Sequence, residues 1–188
     1  MTARPAIFLD RDGVILEHRQ NYVRNWDEAV FYTQALNALA AISSKPVHFF
    51  VITNQSIIGR GEIAQSIVDD INSRMVKTIE WGGGRIDRVY TCPHAPHDYC
   101  ECRKPQPGMI LRAMDEFKID AARSVVIGDS ITDLQAGQNA GLGRLILVRT
   151  GRGTTQEALL AQGGLPHALV SDDLADALRR CLDWLGTL

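Results

Sequence analysis

The sequence predicts an α/β fold built on a doubly wound, mostly parallel sheet. Two observations carry that expectation. Short, nearly continuous apolar runs recur from end to end, as in strands buried on both faces, and longer segments of helical periodicity separate them. A third agrees with these: polar residues with catalytic chemistry fall where the runs stop, at the strand ends where such sheets bind ligands.

Six runs read as strands: residues 6–9, 47–52, 88–91, 124–127, 145–148 and 168–170. Between the second and third, Ile63, Ile67, Ile71, Met75 and Ile79 recur every four residues and stop at Gly82-Gly83-Gly84, which predicts a helix with a glycine terminator. Leu174, Leu178, Leu182 and Leu185 form a second stripe near the end of the chain. No repeat, low-complexity tract or linker divides the 188 residues, so one domain spanning 1–188 is expected.

Composition narrows the class. With 45% apolar residues the chain can bury a core without disulfides. Twenty basic against twenty-two acidic residues, with no Lys/Arg run, argue against nucleic acid or a membrane surface as partner. Met1-Thr2-Ala3-Arg4-Pro5 has no apolar signal region, and no run approaches the ~20 residues of a membrane span. A cytoplasmic monomer acting on a small molecule is the expectation.

The strand ends carry the chemistry. The first exits into Asp10-Arg11-Asp12-Gly13, the second into Thr53-Asn54-Gln55-Ser56, the third into Cys92-Pro93-His94, and the fourth into Gly128-Asp129-Ser130. Asp10 and Asp12 flank one residue, so both can approach a single reacting group. Asp129 brings a third carboxylate to the same rim, with Asp133 close behind. Carboxylates so gathered repel one another unless a cation lies between them, and hard oxygen ligands favour Mg²⁺. Taken singly, Asp10 or Asp129 could simply cap a helix. Thr53 and Lys104 complete a set able to handle phosphate.

The cysteines divide three to one. Cys92, His94, Cys100 and Cys102 offer three thiols and an imidazole within eleven residues, a set suited to tetrahedral Zn²⁺ in a closed, structural site. Arg103-Lys104 follow the last ligand directly, so fixing this loop (92–102) also fixes the lysine. His97 reads as solvated, and Cys181, on the apolar stripe of the last helix, as a core thiol.

In order, spacing and strand context, Asp10-x-Asp12-Gly13, Thr53, Lys104-Pro105 and Gly128-Asp129-x3-Asp133 resemble the haloacid dehalogenase superfamily. That resemblance implies a Rossmann-like fold with Asp10 as nucleophile and Asp12 as general acid/base. It places Mg²⁺ on the Asp10 side chain, the Asp12 carbonyl and the Asp129 side chain, with Thr53 and Lys104 on the phosphoryl oxygens. An Asp at position 12 favours phosphatase chemistry, because an alkoxide leaving group needs a proton.

The ending Cys-x-Cys-Arg-Lys-Pro looks like the branch that holds the heptose bisphosphate phosphatases and the histidinol phosphatases. Thr53-Asn54-Gln55-Ser56 with Arg60-Gly61, Lys104-Pro105-x-Pro107-Gly108-Met109 and Leu147-Val148-Arg149-Thr150-Gly151 resemble the heptose enzymes. The resemblance gives Arg103 a part in sugar recognition. It has Arg19, Gln20, Asn21 and Tyr22 closing over the substrate, Asn54, Gln55 and Ser56 lining the pocket, and Ser130 at its edge. Ile57 and Gly59 stand where the branch more often shows Gly and Ala, which alters the backbone of that loop. The intervals between motifs leave no room for a large cap domain, so an open site is expected. Gly151-Arg152-Gly153 reads as a plain turn.

The expected activity is a Mg²⁺-dependent sugar-phosphate phosphatase with a structural zinc. A histidinol-phosphate phosphatase and a non-catalytic phosphosugar-binding module are the alternatives.

Overall fold

The computed structural model describes residues 3–160, 162, 164, 165 and 167–186. Six strands, β1 (Ala6–Leu9), β2 (His48–Asn54), β3 (Arg88–Cys92), β4 (Val125–Gly128), β5 (Arg144–Val148) and β6 (Leu169–Ser171), form one sheet in the order 3-2-1-4-5-6. Every pairing is parallel. The chain winds outward from β1 to β3, then returns to β4 beside β1 and winds the other way. The switch point therefore lies between the ends of β1 and β4.

Alternation along the strands splits the core into two layers. Ile7, Leu9, Phe49, Val51, Val125 and Ile127 face α1 (Thr33–Ile42), α7 (Leu174–Leu185) and the Met75 and Ile79 side chains of α3 (Gln65–Trp81). Ala6, Phe8, Phe50, Ile52, Val126 and Leu147 face α4 (Gly108–Phe117) and α5 (Ile131–Asn139). Two short helices, α2 (Ser56–Gly59) and α6 (Gly153–Glu157), follow β2 and β5. Cys181 lies in the first layer, where burial pushes its thiol up to about 12.

The structure differs from expectation at two points that matter for the site. Strand β2 runs to Asn54, because ladder pairing with β3 continues through Thr53↔Thr91 and Asn54↔Cys92 after the apolar run has ended. Thr53 and the first zinc-loop cysteine are thus strand residues on neighbouring strands. In α3, Ile71, Met75 and Ile79 are buried, but Ile67 is 39% exposed and Ile63 precedes the helix. Steps of four advance about 400° around an α-helix, so the stripe drifts by roughly 40° each time and leaves the core after three residues. Val68 and, unexpectedly, Asn72 take the remaining buried positions.

Candidate active site

The rim between β1 and β4 holds a cavity of about 350 Å³, lined among others by Asp10, Asp12, Thr53, Lys104, Ser130, Asp133 and Arg152. Asp10 continues β1, and its backbone N–H donates to the carbonyl of Ile127 on β4. Lys104 Nζ lies 2.7 Å from Asp10 Oδ1, 2.7 Å from Asp133 Oδ1 and 2.8 Å from the carbonyl of Ile52, with its side chain only 3% exposed. Asp133 also accepts from the backbone N–H of Ser130, which closes the N-terminus of α5.

One carboxylate oxygen from each of Asp10, Asp129 and Asp133 lies within 4.8 Å of the others, and all three residues are buried. Burial raises the Asp10 carboxyl to about 7. Lys104 pulls it back in part, and repulsion from Asp133, Asp129 and Asp12 adds to the rise. Burial likewise raises Asp129, helped by Asp133 and opposed by Arg152. Burial disfavours the Lys104 ammonium, but Asp10 and Asp133 outweigh it and raise its pKa. These shifts describe a site short of positive charge, and a hard divalent cation on Asp10 and Asp129 fits that deficit. The packing fits too. Gly13, at φ +96°, and Gly151, at φ +59°, press their backbones against Asp129, and a Cβ at either would lie 2.2 or 2.3 Å from its Oδ2. Only glycine permits both the conformation and the approach.

The second cluster lies beside the first. Cys92, at the end of β3, is followed by a loop that brings Cys100 and Cys102 within 3.6 and 3.1 Å of its sulfur, and His94 Nδ1 within 3.2 Å of Cys102 Sγ. Tetrahedral zinc with bonds near 2.3 Å requires ligand separations of about 3.8 Å, so a slight expansion admits the ion. The loop is held from three sides. The Asp98 carboxylate accepts from the N–H of Ala95, Gly59 donates its N–H to the Pro93 carbonyl, and Gly108 donates its own to that of Glu101. A Cβ at Gly59 would meet Ala95 N at 2.6 Å, so the glycine at this position lets α2 pack directly on the loop. His97 is exposed, as expected of a solvated side chain.

The remaining site candidates separate by position. Arg19, Gln20, Tyr22, Asn54, Arg103 and Ser130 line the cavity. Asn54 also clamps the Lys104 backbone, donating to its carbonyl and accepting from its N–H, both at 3.1 Å. Gln55 and Ser56 do not fit the reading as cavity-lining contacts: both are buried and lie behind the cavity wall rather than on it. Gln55 donates to Asp12 and Thr53 instead, while Ser56 is covered by Tyr22 and Arg60. Asn21 is exposed and outside the cavity wall.

Arg152 does lie in the turn that its glycine neighbours predict, but it also belongs to the site. Its backbone N–H donates to Asp129 Oδ2 at 2.9 Å and its guanidinium to Oδ1 at 3.1 Å, and the side chain lines the cavity. The available signal was topological, since the end of β5 must open on the same rim as β1 and β4. Arg11 and Asn72 were also missed. Arg11 is fully buried and folds back onto Asp12, as described below.

Among the described residues, no helix is long and apolar enough to cross a membrane.

Comparison with known proteins agrees with this geometry. Residues 101–177 match the HAD-hydrolase-like family model. The D-glycero-β-D-manno-heptose-1,7-bisphosphate 7-phosphatase of Bordetella bronchiseptica is 37% identical over 177 residues, covering 94% of this chain and 97% of its own. The Escherichia coli K12 enzyme of the same name is 36% identical over 184 residues, covering 94% of each. The crystal structure of the B. bronchiseptica enzyme complexed with magnesium and phosphate superposes with a TM-score of 0.88 at 36% identity, over 96% of this chain and 99% of that one. The D,D-heptose 1,7-bisphosphate phosphatase of Burkholderia thailandensis gives 0.70 at 34% identity, over 97% and 99%. With its carboxylate rim at the β1–β4 switch point and this extent of similarity, the chain belongs to the D-glycero-β-D-manno-heptose-1,7-bisphosphate 7-phosphatase family of haloacid dehalogenase-like hydrolases.

Proposed function

We propose that this protein removes the 7-phosphate of D-glycero-β-D-manno-heptose 1,7-bisphosphate through an aspartyl-phosphate on Asp10. The observation that carries the reading is the setting of Asp10, which adjoins a buried lysine and two further carboxylates, with the Asp12 carboxylate on the same cavity wall. The family supplies the substrate.

A carboxylate oxygen of Asp10 attacks phosphorus, and the bond to the C7 oxygen breaks. Asp12 donates its proton to the leaving alkoxide, then takes one from the water that attacks the acyl phosphate. That second displacement releases inorganic phosphate and returns both aspartates to their starting states. Lys104 and Thr53 bind the equatorial phosphoryl oxygens, where charge must be held in the transition state. Mg²⁺, held by the Asp10 and Asp129 side chains and the Asp12 carbonyl, offsets the repulsion between the Asp10 carboxylate and the phosphate. Cys92, His94, Cys100 and Cys102 would hold Zn²⁺, which would have a structural part in tying the segment that delivers Arg103 and Lys104.

Arg19, Gln20, Tyr22 and Arg103 are the proposed contacts to the sugar and its second phosphate. Residues 1–188 act as one catalytic domain in this reading. A monomer in a reducing, cytoplasmic setting suits the unpaired thiols of the zinc loop.

The test is the ratio of kcat/KM on the heptose bisphosphate and on histidinol phosphate. A preference of at least about tenfold for the bisphosphate is expected, roughly 1.4 kcal/mol of transition-state discrimination. Preference for histidinol phosphate overturns the substrate, and full turnover by Asp10→Asn overturns the mechanism.

A further inference from the structure

Arg11 has the largest fully buried side chain in the described protein, and it stands between the two catalytic aspartates. Its guanidinium grips Asp12 in a fork: Nε donates to Oδ2 at 3.1 Å and Nη2 to Oδ1 at 3.2 Å, with Nη2 also 2.9 Å from Oδ2. Among the described residues Asp12 is its only carboxylate partner. The third nitrogen, Nη1, donates to Asn72 Oδ1 at 2.9 Å, and Asn72 Nδ2 donates to Thr91 Oγ1 at 3.1 Å. From the other side, Gln55 Nε2 donates to Asp12 Oδ2 at 2.9 Å and to Thr53 Oγ1 at 2.8 Å.

A guanidinium withdrawn wholly from water is costly, and packing alone would be met more cheaply by an apolar side chain. The same holds for Asn72, which interrupts the buried face of α3 where Ile71, Met75 and Ile79 supply the core. What the two residues achieve together is geometric. A planar fork fixed at both ends holds the Asp12 carboxylate in one rotation, which a single hydrogen bond would not do.

We infer that Arg11, anchored by Asn72, is a positioning residue that aligns the Asp12 carboxylate for proton transfer to the leaving oxygen. The inference rests on the phosphatase reading above, and it concerns one step of it. An alkoxide leaving group requires the proton, whereas p-nitrophenolate departs without one. Misaligning Asp12 must therefore slow the first far more than the second. A residue needed only for folding, or for binding phosphate, would slow both equally.

The test compares single-turnover release of the alcohol from glycerol phosphate and of p-nitrophenolate from p-nitrophenyl phosphate, with enzyme and Mg²⁺ in excess. Arg11→Met is expected to lower the alkyl rate about 100-fold, within the range of general acid catalysis, and the aryl rate by no more than about 3-fold. Arg11→Lys restores a cation without the fork and recovers part of the alkyl rate. Asn72→Ala gives the same selective pattern at a smaller size, an alkyl rate lowered about 5- to 10-fold with the aryl rate unchanged. Asn72 also borders an open cavity of about 420 Å³ between α3 and β3, where water can replace the lost amide. Should Arg11→Met fail to fold, the Asn72 variant decides by the same comparison. Equal losses on both substrates, or an unchanged alkyl rate, overturn the inference. Failure of the phosphatase reading looks different: wild-type protein then releases neither product, or Asp10→Asn releases both.

Discussion

Replacing Lys104 by Met removes a cation that touches both Asp10 and Asp133. The ammonium lies 2.7 Å from each carboxylate, and its side chain is 3% exposed. Met keeps most of the stem's volume, so little packing is lost. Breaking a buried ion pair costs about 3–5 kcal/mol, because a charge is left without its partner. Here Asp10 can escape by taking up a proton, being already raised to about 7, so a loss near 3 kcal/mol is expected at neutral pH. In metal-free buffer that corresponds to a urea midpoint lower by roughly 1–2 M. Saturating Mg²⁺ supplies charge to Asp10 and narrows the gap. Activity falls further than stability, by about 10²–10³ in kcat, since a preorganised donor to the phosphoryl oxygens is gone. A midpoint unchanged in metal-free buffer, or a gap insensitive to Mg²⁺, refutes the electrostatic account of the site.

Three other outcomes follow from the same geometry. Asp10 is raised from 3.8 to about 7, so metal-free protein binds a proton that the unfolded chain releases. Its contribution is full below about pH 4 and is lost as pH rises toward 7, and urea midpoints measured without Mg²⁺ should fall across that window. A flat or rising profile contradicts it. Gly151→Ala would place a Cβ 2.3 Å from Asp129 Oδ2 at φ +59°, costing about 1–3 kcal/mol and weakening Mg²⁺ binding in calorimetric titration. Unaltered affinity speaks against Asp129 as a ligand. Purified protein should carry zinc, and Cys102→Ser should lower Tm and reduce kcat about 10-fold or more through the loosened Lys104. Less than about half an equivalent of zinc, with none lost in purification, argues against the site.

Much of the fold was legible because most strands hold a continuous apolar run, and the central ones are buried on both faces. The rim was legible for a related reason: parallel strands end on one side, so Asp10, Thr53 and Asp129 had to meet. What escaped notice depends on tertiary contact. Strand β2 outlasts its apolar run because β3 keeps pairing with it. The loop carrying Tyr22 covers Ser56, which turns an apparent pocket residue into a buried one. Arg152 lies in a segment whose glycines suggest a turn, and the turn is real, but its backbone and side chain both close on Asp129. Arg11 carries no periodic signal at all. Its burial follows from a partner sixty-one positions away on α3, which no local pattern announces.

The central claim is that phosphate passes through Asp10, and chemical trapping tests it most directly. Protein quenched during turnover of the heptose bisphosphate and reduced with borohydride converts an acyl phosphate to homoserine, which peptide mass mapping locates. The account predicts modification confined to Asp10 and absent from Asp10→Asn. Modification at another carboxylate, or sustained turnover with none, would contradict it.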